Sequence, residues 1–279
     1  MIYETVADLT ACGGYKYVLG PCLLILLPIL YTLYSILYSK YKSIKMTPKV
    51  LVVLTSHDKL GDTGHPTGWY LPEFAHPHEV LHNKVSLTIA SPKGGEAPLD
   101  PSSVKMFEAD PTSQTFLKEQ KALWTNTHKL ADIVPRAAEF DAIFYVGGHG
   151  PMFDLTTDPT SLSLIQTFAA ANKPVAAVCH GPCVLLNATA PSGEPLISGA
   201  EVTGFSNEEE DAVQLSSAMP FLLETELGRI SGKYVKAEQA WGEKVVVAKA
   251  AGTGSVLITG QNPASAAGVG KAILEALGL

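Results

Sequence analysis

Short apolar runs alternate along the chain with longer amphipathic stretches. The apolar runs have the length and residue types of strands that are buried on both faces of a parallel sheet. One of them ends abruptly at Gly147-Gly148. The runs lie at 49–56, 85–92, 140–146, 174–178, 244–250 and 255–260.

Helical patterns separate these runs, at 69–84, 114–127, 162–173 and 263–278. Pro72 suits the first turn of its helix, whereas Pro77 predicts a kink or a later start. Strands that alternate with helices at this spacing predict an α/β fold, an open and mostly parallel sheet with helices on both faces. The chain has no GxGxxG after its first strand and no GxxxxGK[ST], which argues against nucleotide binding.

The N-terminal segment differs from the rest of the chain. Between Lys16 and Lys40 lie 23 residues without a formal charge, enough for a helix to cross the hydrocarbon core of a bilayer. We therefore predict a transmembrane helix at about 17–39, within an N-terminal segment 1–45 that precedes a catalytic domain at 46–279. Lysines after the apolar stretch predict a single-pass anchor with the catalytic domain in the cytosol.

Three other interpretations of this segment remain open. They are a cleaved signal peptide, a buried core helix, and a spurious extension from a misread gene start. In the last case the protein would be cytoplasmic.

Composition narrows the possible partners. The net charge is −7, and the lysines of the N-terminal segment leave the rest more acidic still, so we expect no binding to nucleic acid. The four cysteines, at 12, 22, 179 and 183, form no disulfide framework and no zinc-type pair of CxxC motifs.

The stretch PVAAVCHGPCVLL (174–186) carries the clearest chemical signal. Cys179 and His180 follow directly on an apolar run, where a strand-to-helix turn projects a nucleophile into a cleft. We expect the start of the following helix to lower the thiol pKa. The His180 ring does not easily reach the neighbouring sulfur, so a third group is expected to orient it. In the simpler alternative, Cys179 is a small buried hydrophobe, as we expect for Cys183.

Two other strand ends bring further groups to the same edge of the sheet. The Gly-rich turn GGHG makes the backbone N–H of Gly148 a candidate oxyanion donor. Glu73, after the first strand, is a candidate hydrogen-bond partner or proton shuttle for the thiol. On the sequence alone, a surface glutamate in a first helical turn is the favoured explanation of Glu73.

Five separated motifs, TGWYLPEFAHP, GGHGPMFDL, AVCHGP, VTGFSNEEE and LITGQNPAS, resemble in this order those of the ThiJ/PfpI superfamily, which has a class I glutamine amidotransferase-like, or flavodoxin-like, fold. Over residues 48–279 the chain resembles the glutathione-independent glyoxalase III and stress-chaperone branch. The resemblance implies Cys179 as the nucleophile, His180 as the general acid/base and Glu73 as the residue in contact with the thiol.

The same resemblance places the third triad member on an acidic residue after TGF, best at Glu210, with Glu208 and Glu209 as alternatives. It implies an oxyanion pocket formed by the N–H groups of Gly148 and His180, and Trp241 in the site wall.

The implied reaction is that of a lyase of the D-lactate dehydratase type, active in methylglyoxal detoxification. Methylglyoxal and water give lactate, and glyoxal gives glycolate, through a hemithioacetal on the cysteine. The implied partner is a small dicarbonyl substrate, with no cofactor or metal, and a homodimer is possible.

Other functions fit the same residues. A cysteine peptidase or amidase would use the same triad, and a stress-response holdase chaperone or a redox sensor would use Cys179 as an oxidisable thiol. A metal site at His65, His76, His78 and His82 is a further possibility, although solvated histidines explain their loose spacing better.

Overall fold

A seven-stranded sheet crosses the part of the chain that the structure, a computed structural model, describes, residues 47–279. The strands are β1 (Lys49–Val53), β2 (Ser86–Ser91), β3 (His128–Lys129), β4 (Ala142–Tyr145), β5 (Val175–Val178), β6 (Val245–Lys249) and β7 (Val256–Gly260). Their order in the sheet is β3-β2-β1-β4-β5-β7-β6, and all neighbours are parallel except the antiparallel pair β6 and β7.

Every residue of the central strands β4 and β5 is buried, which requires helices or loops on both faces of the sheet. The α-helices are α1 (Leu71–Leu81), α2 (Pro101–Met106), α3 (Pro111–Glu119), α4 (Ala122–Thr125), α5 (Leu130–Ile133), α6 (Pro159–Ala170), α7 (Asn207–Ala212), α8 (Leu223–Ser231) and α9 (Ala266–Ala276). Short 3₁₀ helices lie at Val134–Glu139, Gly150–Met152, Gly181–Leu185, Ser216–Ala218 and Pro263–Ser265. The predicted α/β fold with a mostly parallel sheet is confirmed.

The structure corrects the boundaries of several predicted helices. The first helix begins at Leu71, carries Pro72 in its first turn and continues through Pro77 to Leu81. The helix predicted at 114–127 is instead two, α3 and α4. Aspartate caps that precede prolines start α2 and α3, because the carboxylates of Asp100 and Asp110 accept backbone N–H bonds of the first turn.

The membrane predictions need correction. The predicted transmembrane segment, 17–39, lies outside the described residues. The longest described helix, α6, has 12 residues, whereas a bilayer requires about 20. No helix in residues 47–279 is long and apolar enough to span a membrane, so the predicted anchor and single-pass location are not supported. The domain boundary at residue 46 stays a prediction.

Close backbone packing aligns the segments at the carboxyl ends of the strands. The N–H of Trp69 donates to the carbonyl of Pro98 (2.9 Å), and a Cβ on Gly68 would overlap that same carbonyl oxygen. The carbonyl of Gly68 in turn accepts the N–H of Gly150 (3.3 Å). Gly68 therefore holds the segment that leads into α1 against the turn after β4.

We expect Gly68→Ala to lower the free energy of unfolding by about 1–3 kcal/mol, because the added methyl overlaps backbone that cannot move independently. Gly228→Ala in α8 is the matched control. Its Cβ would meet only ordinary contacts, so a stabilisation of about 0.5–1 kcal/mol is expected from helix propensity. Urea denaturation measures both, and equal effects of the two substitutions would contradict this account of the packing.

Candidate active site

Cys179 follows β5 in a sharp turn with a left-handed backbone (φ 59°). Hydrogen bonds hold the turn on both sides. The Cys179 N–H donates to the carbonyl of Gly260 at the end of β7 (2.9 Å), and the Cys179 carbonyl accepts the N–H of Phe205 (2.8 Å). A left-handed conformation costs a non-glycine residue about 1–2 kcal/mol and persists only where its surroundings fix it. This turn brings the thiol to the edge of a cavity.

The turn after β4 brings backbone close to the cysteine. A Cβ on Gly147 would overlap both the carboxyl group of Glu73 and the carbonyl of Val178, so only glycine allows this approach. Gly148 has a φ of 92°, and its N–H contributes to lowering the pKa of the Cys179 thiol. Gly148 therefore lies where the sequence predicts an oxyanion donor, and that role stays a prediction.

Glu73 is fully buried, and its carboxyl oxygens make no well-formed hydrogen bond to the described residues. Burial raises the pKa of Glu73 well above its usual range. The nearby Cys179 thiol and the N–H of Gly147 oppose that rise but do not outweigh it. A pKa raised in this way favours the protonated form of the carboxyl group, which is able to donate a hydrogen bond. The alternative of a surface glutamate is therefore wrong.

Burial also raises the pKa of the Cys179 thiol well above its usual range, and the neighbouring Glu73 adds to the rise. The sequence predicted the opposite, from a helix start that lowers the pKa. The element after Cys179 is a 3₁₀ helix of five residues, Gly181–Leu185, too short to provide a strong dipole. The thiol is therefore neutral before substrate binds and needs a base beside it.

His180 provides that base, in a geometry that the sequence did not predict. Its Nδ1 lies 3.4 Å from the Cys179 Sγ, although the two residues are adjacent in the chain. Its Nε2 lies 2.6 Å from Glu210 Oε2. Because a carboxylate can only accept, Nε2 carries the proton and Nδ1 presents its lone pair to the thiol. Burial and the nearby His149 lower the pKa of His180, which keeps the ring neutral.

Glu210 accepts hydrogen bonds from two histidines. His149 Nε2 lies 3.0 Å from Oε1, and the rings of His149 and His180 are 4.2 Å apart. Burial raises the pKa of Glu210, but the electrostatic interaction with the His180 ring and the hydrogen bonds from both rings outweigh it and hold the pKa well below its usual range. Glu210 is thus an ionised carboxylate that fixes the His180 ring, and its place in a triad stays a prediction.

Glu209, the preceding residue, has a structural role. Its carboxylate closes the capping box of α7 with Ser206 and accepts the side-chain amide of Asn262 (2.8 Å). It also accepts the backbone N–H of Trp241 (2.9 Å), a residue with a left-handed backbone (φ 66°). One buried carboxylate therefore positions both the helix that carries Glu210 and the loop that carries Trp241. Glu208 is exposed.

A cavity of about 40 Å³ lies over the cysteine. Glu73, Gly148, Cys179, His180 and Trp241 all contribute to its wall, so the structure brings these predicted residues together. The other wall residues are Tyr70, Met106, His149, Phe205, Val213 and Pro263. The Phe205 ring lies 4.5 Å from the His180 ring and 5.6 Å from the indole of Trp241.

Sequence reasoning missed several of these wall residues. Tyr70, His149 and Phe205 lie inside the quoted motifs, so their positions carried a signal that was not read. Met106 and Val213 lie outside every motif, and only the packing of α2 and α7 brings them to the cavity.

Within the described residues, one set of side chains brings metal-ligating atoms close together, His149, His180 and Glu210. Both histidines already donate a hydrogen bond to this carboxylate, so a cation would have to displace two N–H protons. The four histidines considered from the sequence do not join such a set. His76 pairs with Asp110 (2.9 Å), and His78 stacks on His82.

Comparison with known proteins finds a family whose sequence model matches this chain and several similar proteins. The sequence model of the DJ-1/PfpI family matches residues 73–276. Glyoxalase 3 of Candida albicans is 29% identical over 238 residues, which cover 82% of this chain and 98% of that protein. The glutathione-independent glyoxalase HSP31 of Saccharomyces cerevisiae is 28% identical, with 83% of this chain and 99% of that protein covered. The crystal structure of Candida albicans glyoxalase III superposes with a TM-score of 0.70 at 27% identity, covering 82% of this chain and 97% of that one.

We expect Glu210→Gln to change how stability depends on pH. The folded-state pKa of Glu210 lies below its ordinary value of 4.5, so its contribution to stability is complete above that value. The contribution is lost as the pH falls through the lower folded-state pKa. The difference in free energy of unfolding between wild type and variant should therefore stay constant from about pH 7 to about pH 5 and shrink as the pH falls further to about 3.

Denaturation at several pH values measures this difference. Glu208→Gln, on the exposed face of the same helix, is the control and should leave stability nearly unchanged. A gap between wild type and Glu210→Gln that stays constant with pH would contradict the assignment of Glu210 as an ionised carboxylate.

Proposed function

The chain belongs to the DJ-1/PfpI family, and we propose that it is a glutathione-independent glyoxalase that converts methylglyoxal and water to lactate, and glyoxal to glycolate. The observation that carries this proposal is the cavity over Cys179. It joins a thiol, a neutral imidazole that can take its proton, and a protonated carboxyl group that can donate one. This is the set of groups that addition to an aldehyde and a proton transfer between adjacent carbons require.

The size of the cavity favours a small dicarbonyl over a peptide. A volume of about 40 Å³ admits only a few water-sized groups. The cysteine is 4% exposed and His180 only 1%, so an extended peptide has no room to lie across them. This argues against the peptidase alternative. The possible homodimer stays a prediction.

The first proposed step is addition. The thiol proton of Cys179 passes to Nδ1 of His180 as the sulfur attacks the aldehyde carbon, C1. The proton then passes to the aldehyde oxygen, giving a hemithioacetal. Glu210 stabilises the imidazolium that forms, because it is already ionised and hydrogen-bonded to Nε2. Proposed oxyanion donors for the oxygen are the backbone N–H groups of Gly148 and His180.

The second step moves a hydrogen between the two carbons. His180 removes the proton on C1 while the ketone oxygen at C2 gains one, giving an enediol. Glu73 is the proposed donor to that oxygen, since it is protonated and without a strong partner in the cavity. Return of a proton to C2 and loss of one from the oxygen on C1 give a thioester of the 2-hydroxy acid.

Water completes the cycle. It attacks the thioester carbonyl, the carbon–sulfur bond breaks, and the thiol regains its proton from His180. In total, C1 is oxidised from aldehyde to carboxyl and C2 is reduced from ketone to alcohol, so no external oxidant or cofactor is needed. We propose D-lactate as the product, which assigns the reaction to the hydro-lyases of the D-lactate dehydratase type.

We expect Cys179→Ala to abolish lactate formation from methylglyoxal without glutathione, because the nucleophile that attacks the aldehyde carbon is lost. Cys183→Ala is the matched control. Cys183 is a second buried thiol four residues away, outside the cavity wall, so this variant should retain lactate formation. The assay is the production of lactate by residues 46–279. Lactate formation by Cys179→Ala at the wild-type rate, or hydrolysis of peptides without lactate formation, would refute the proposal.

The stereochemistry of the product offers a second test. Because a fixed, buried group returns the proton to C2 inside a closed cavity, one enantiomer should form in large excess. Enzymatic assay with stereospecific lactate dehydrogenases distinguishes D-lactate, the expected product, from L-lactate. A racemic product would show that C2 is reprotonated by bulk water.

A further inference from the structure

A second cavity of about 420 Å³ lies beside the one over Cys179, and it is called the outer cavity here. The two share four wall residues, Tyr70, Met106, Trp241 and Pro263. The remaining wall of the outer cavity consists of His76, Phe107, Asp110, Asn262, Ala264 and Ala267. Its volume lies within the range of about 300–1,000 Å³ that is typical of small-molecule sites, ten times that of its neighbour.

The division between the two cavities includes a side-chain contact between Tyr70 and Met106. The Tyr70 hydroxyl donates to the Met106 Sδ (3.2 Å), and Met106 is 65% exposed. A methionine has three rotatable bonds and adapts to irregular neighbours, so this division is able to open. Trp241, at 45% exposure, lies on the same shared wall. Exposed apolar side chains at the rim of a concave site mark a surface that binds a ligand.

The polar groups of the outer cavity are already satisfied within the protein. His76 is paired with Asp110 (2.9 Å). The Asn262 side chain donates to Glu209 and to the carbonyl of Gly242, and it accepts from Ser265. A ligand therefore finds no unpaired donor or acceptor among these groups and meets the rings of Tyr70, Phe107 and Trp241. Walls of this kind favour an apolar or aromatic group.

We propose that the outer cavity is the subsite for the apolar or aromatic substituent of 2-oxoaldehydes larger than methylglyoxal. The inference rests on the proposed function. The two carbonyl carbons occupy the small cavity over Cys179, and the substituent on C2 extends past Tyr70 and Met106 toward Phe107. The small cavity alone has no room for such a substituent.

The reaction on such a substrate keeps the same balance of atoms and electrons. Phenylglyoxal and water give mandelate. The sulfur of Cys179 bonds to the aldehyde carbon, that carbon is oxidised to the carboxyl level, and the ketone carbon beside the ring is reduced. Water cleaves the carbon–sulfur bond and restores the thiol, so no further reactant is required.

The test fills the outer cavity without touching the cavity over Cys179. Ala264, on the 3₁₀ helix Pro263–Ser265, is exposed and lines only the outer cavity. Ala264→Trp places an indole where the substituent is proposed to lie. The control is Ala170→Trp, at the exposed last residue of α6, which lines neither cavity. The measurement is kcat/KM for phenylglyoxal and for methylglyoxal in wild type and both variants.

We expect Ala264→Trp to lower the ratio of the two kcat/KM values, phenylglyoxal over methylglyoxal, by about tenfold or more, and the control to leave it unchanged. A chain that forms lactate but no mandelate overturns the subsite alone, as does a ratio for Ala264→Trp within about twofold of wild type. A wild-type chain that forms neither product overturns the proposed function and the subsite with it.

Discussion

Cys179 adopts a left-handed backbone conformation, and the site is arranged around the turn that this conformation makes. Strand β5 and the carbonyl of Gly260 fix one side of the turn, and Phe205 fixes the other. The turn points the sulfur into the cavity and lets the ring of the next residue reach back to it. The approach of Glu73 also depends on glycine at position 147, because a Cβ there would overlap the Glu73 carboxyl group and the carbonyl of Val178. A relaxed backbone at Cys179 would separate these three groups.

Three buried carboxyl groups around this turn differ in charge because their surroundings differ. Glu73 has no strong donors, so burial dominates and favours the protonated form. Glu210 accepts from two imidazoles and is ionised. Glu209 accepts from Ser206, Asn262 and the loop of Trp241, and these hydrogen bonds outweigh burial and lower its pKa. The proposed acid, the group that orients His180 and the structural anchor are thus the same residue type with different hydrogen-bond partners.

Six of the seven strands were readable from the sequence because apolar runs are local signals, whereas the two-residue β3 and the order of the strands in the sheet were not predicted. The pairing of Cys179 with Gly148 and Glu73 followed from the rule that parallel strands end at one edge of a sheet. The contact of the His180 ring with its neighbour's sulfur was not readable, since it depends on one backbone angle. The raised pKa of Cys179 was missed because burial is a property of the packed chain. Met106 reached the cavity through tertiary packing alone.

A covalent bond between Cys179 and the aldehyde carbon is the central claim, and labelled substrate tests it most directly. Glu73→Gln keeps His180 to activate the thiol and removes the proposed proton donor to the ketone oxygen, so methylglyoxal labelled at its aldehyde carbon should remain at the hemithioacetal stage. Carbon NMR of this variant is predicted to show the labelled carbon bonded to both sulfur and oxygen, and the double variant with Cys179→Ala should lose that signal. A signal that persists in the double variant, or that is absent from Glu73→Gln, would contradict the account.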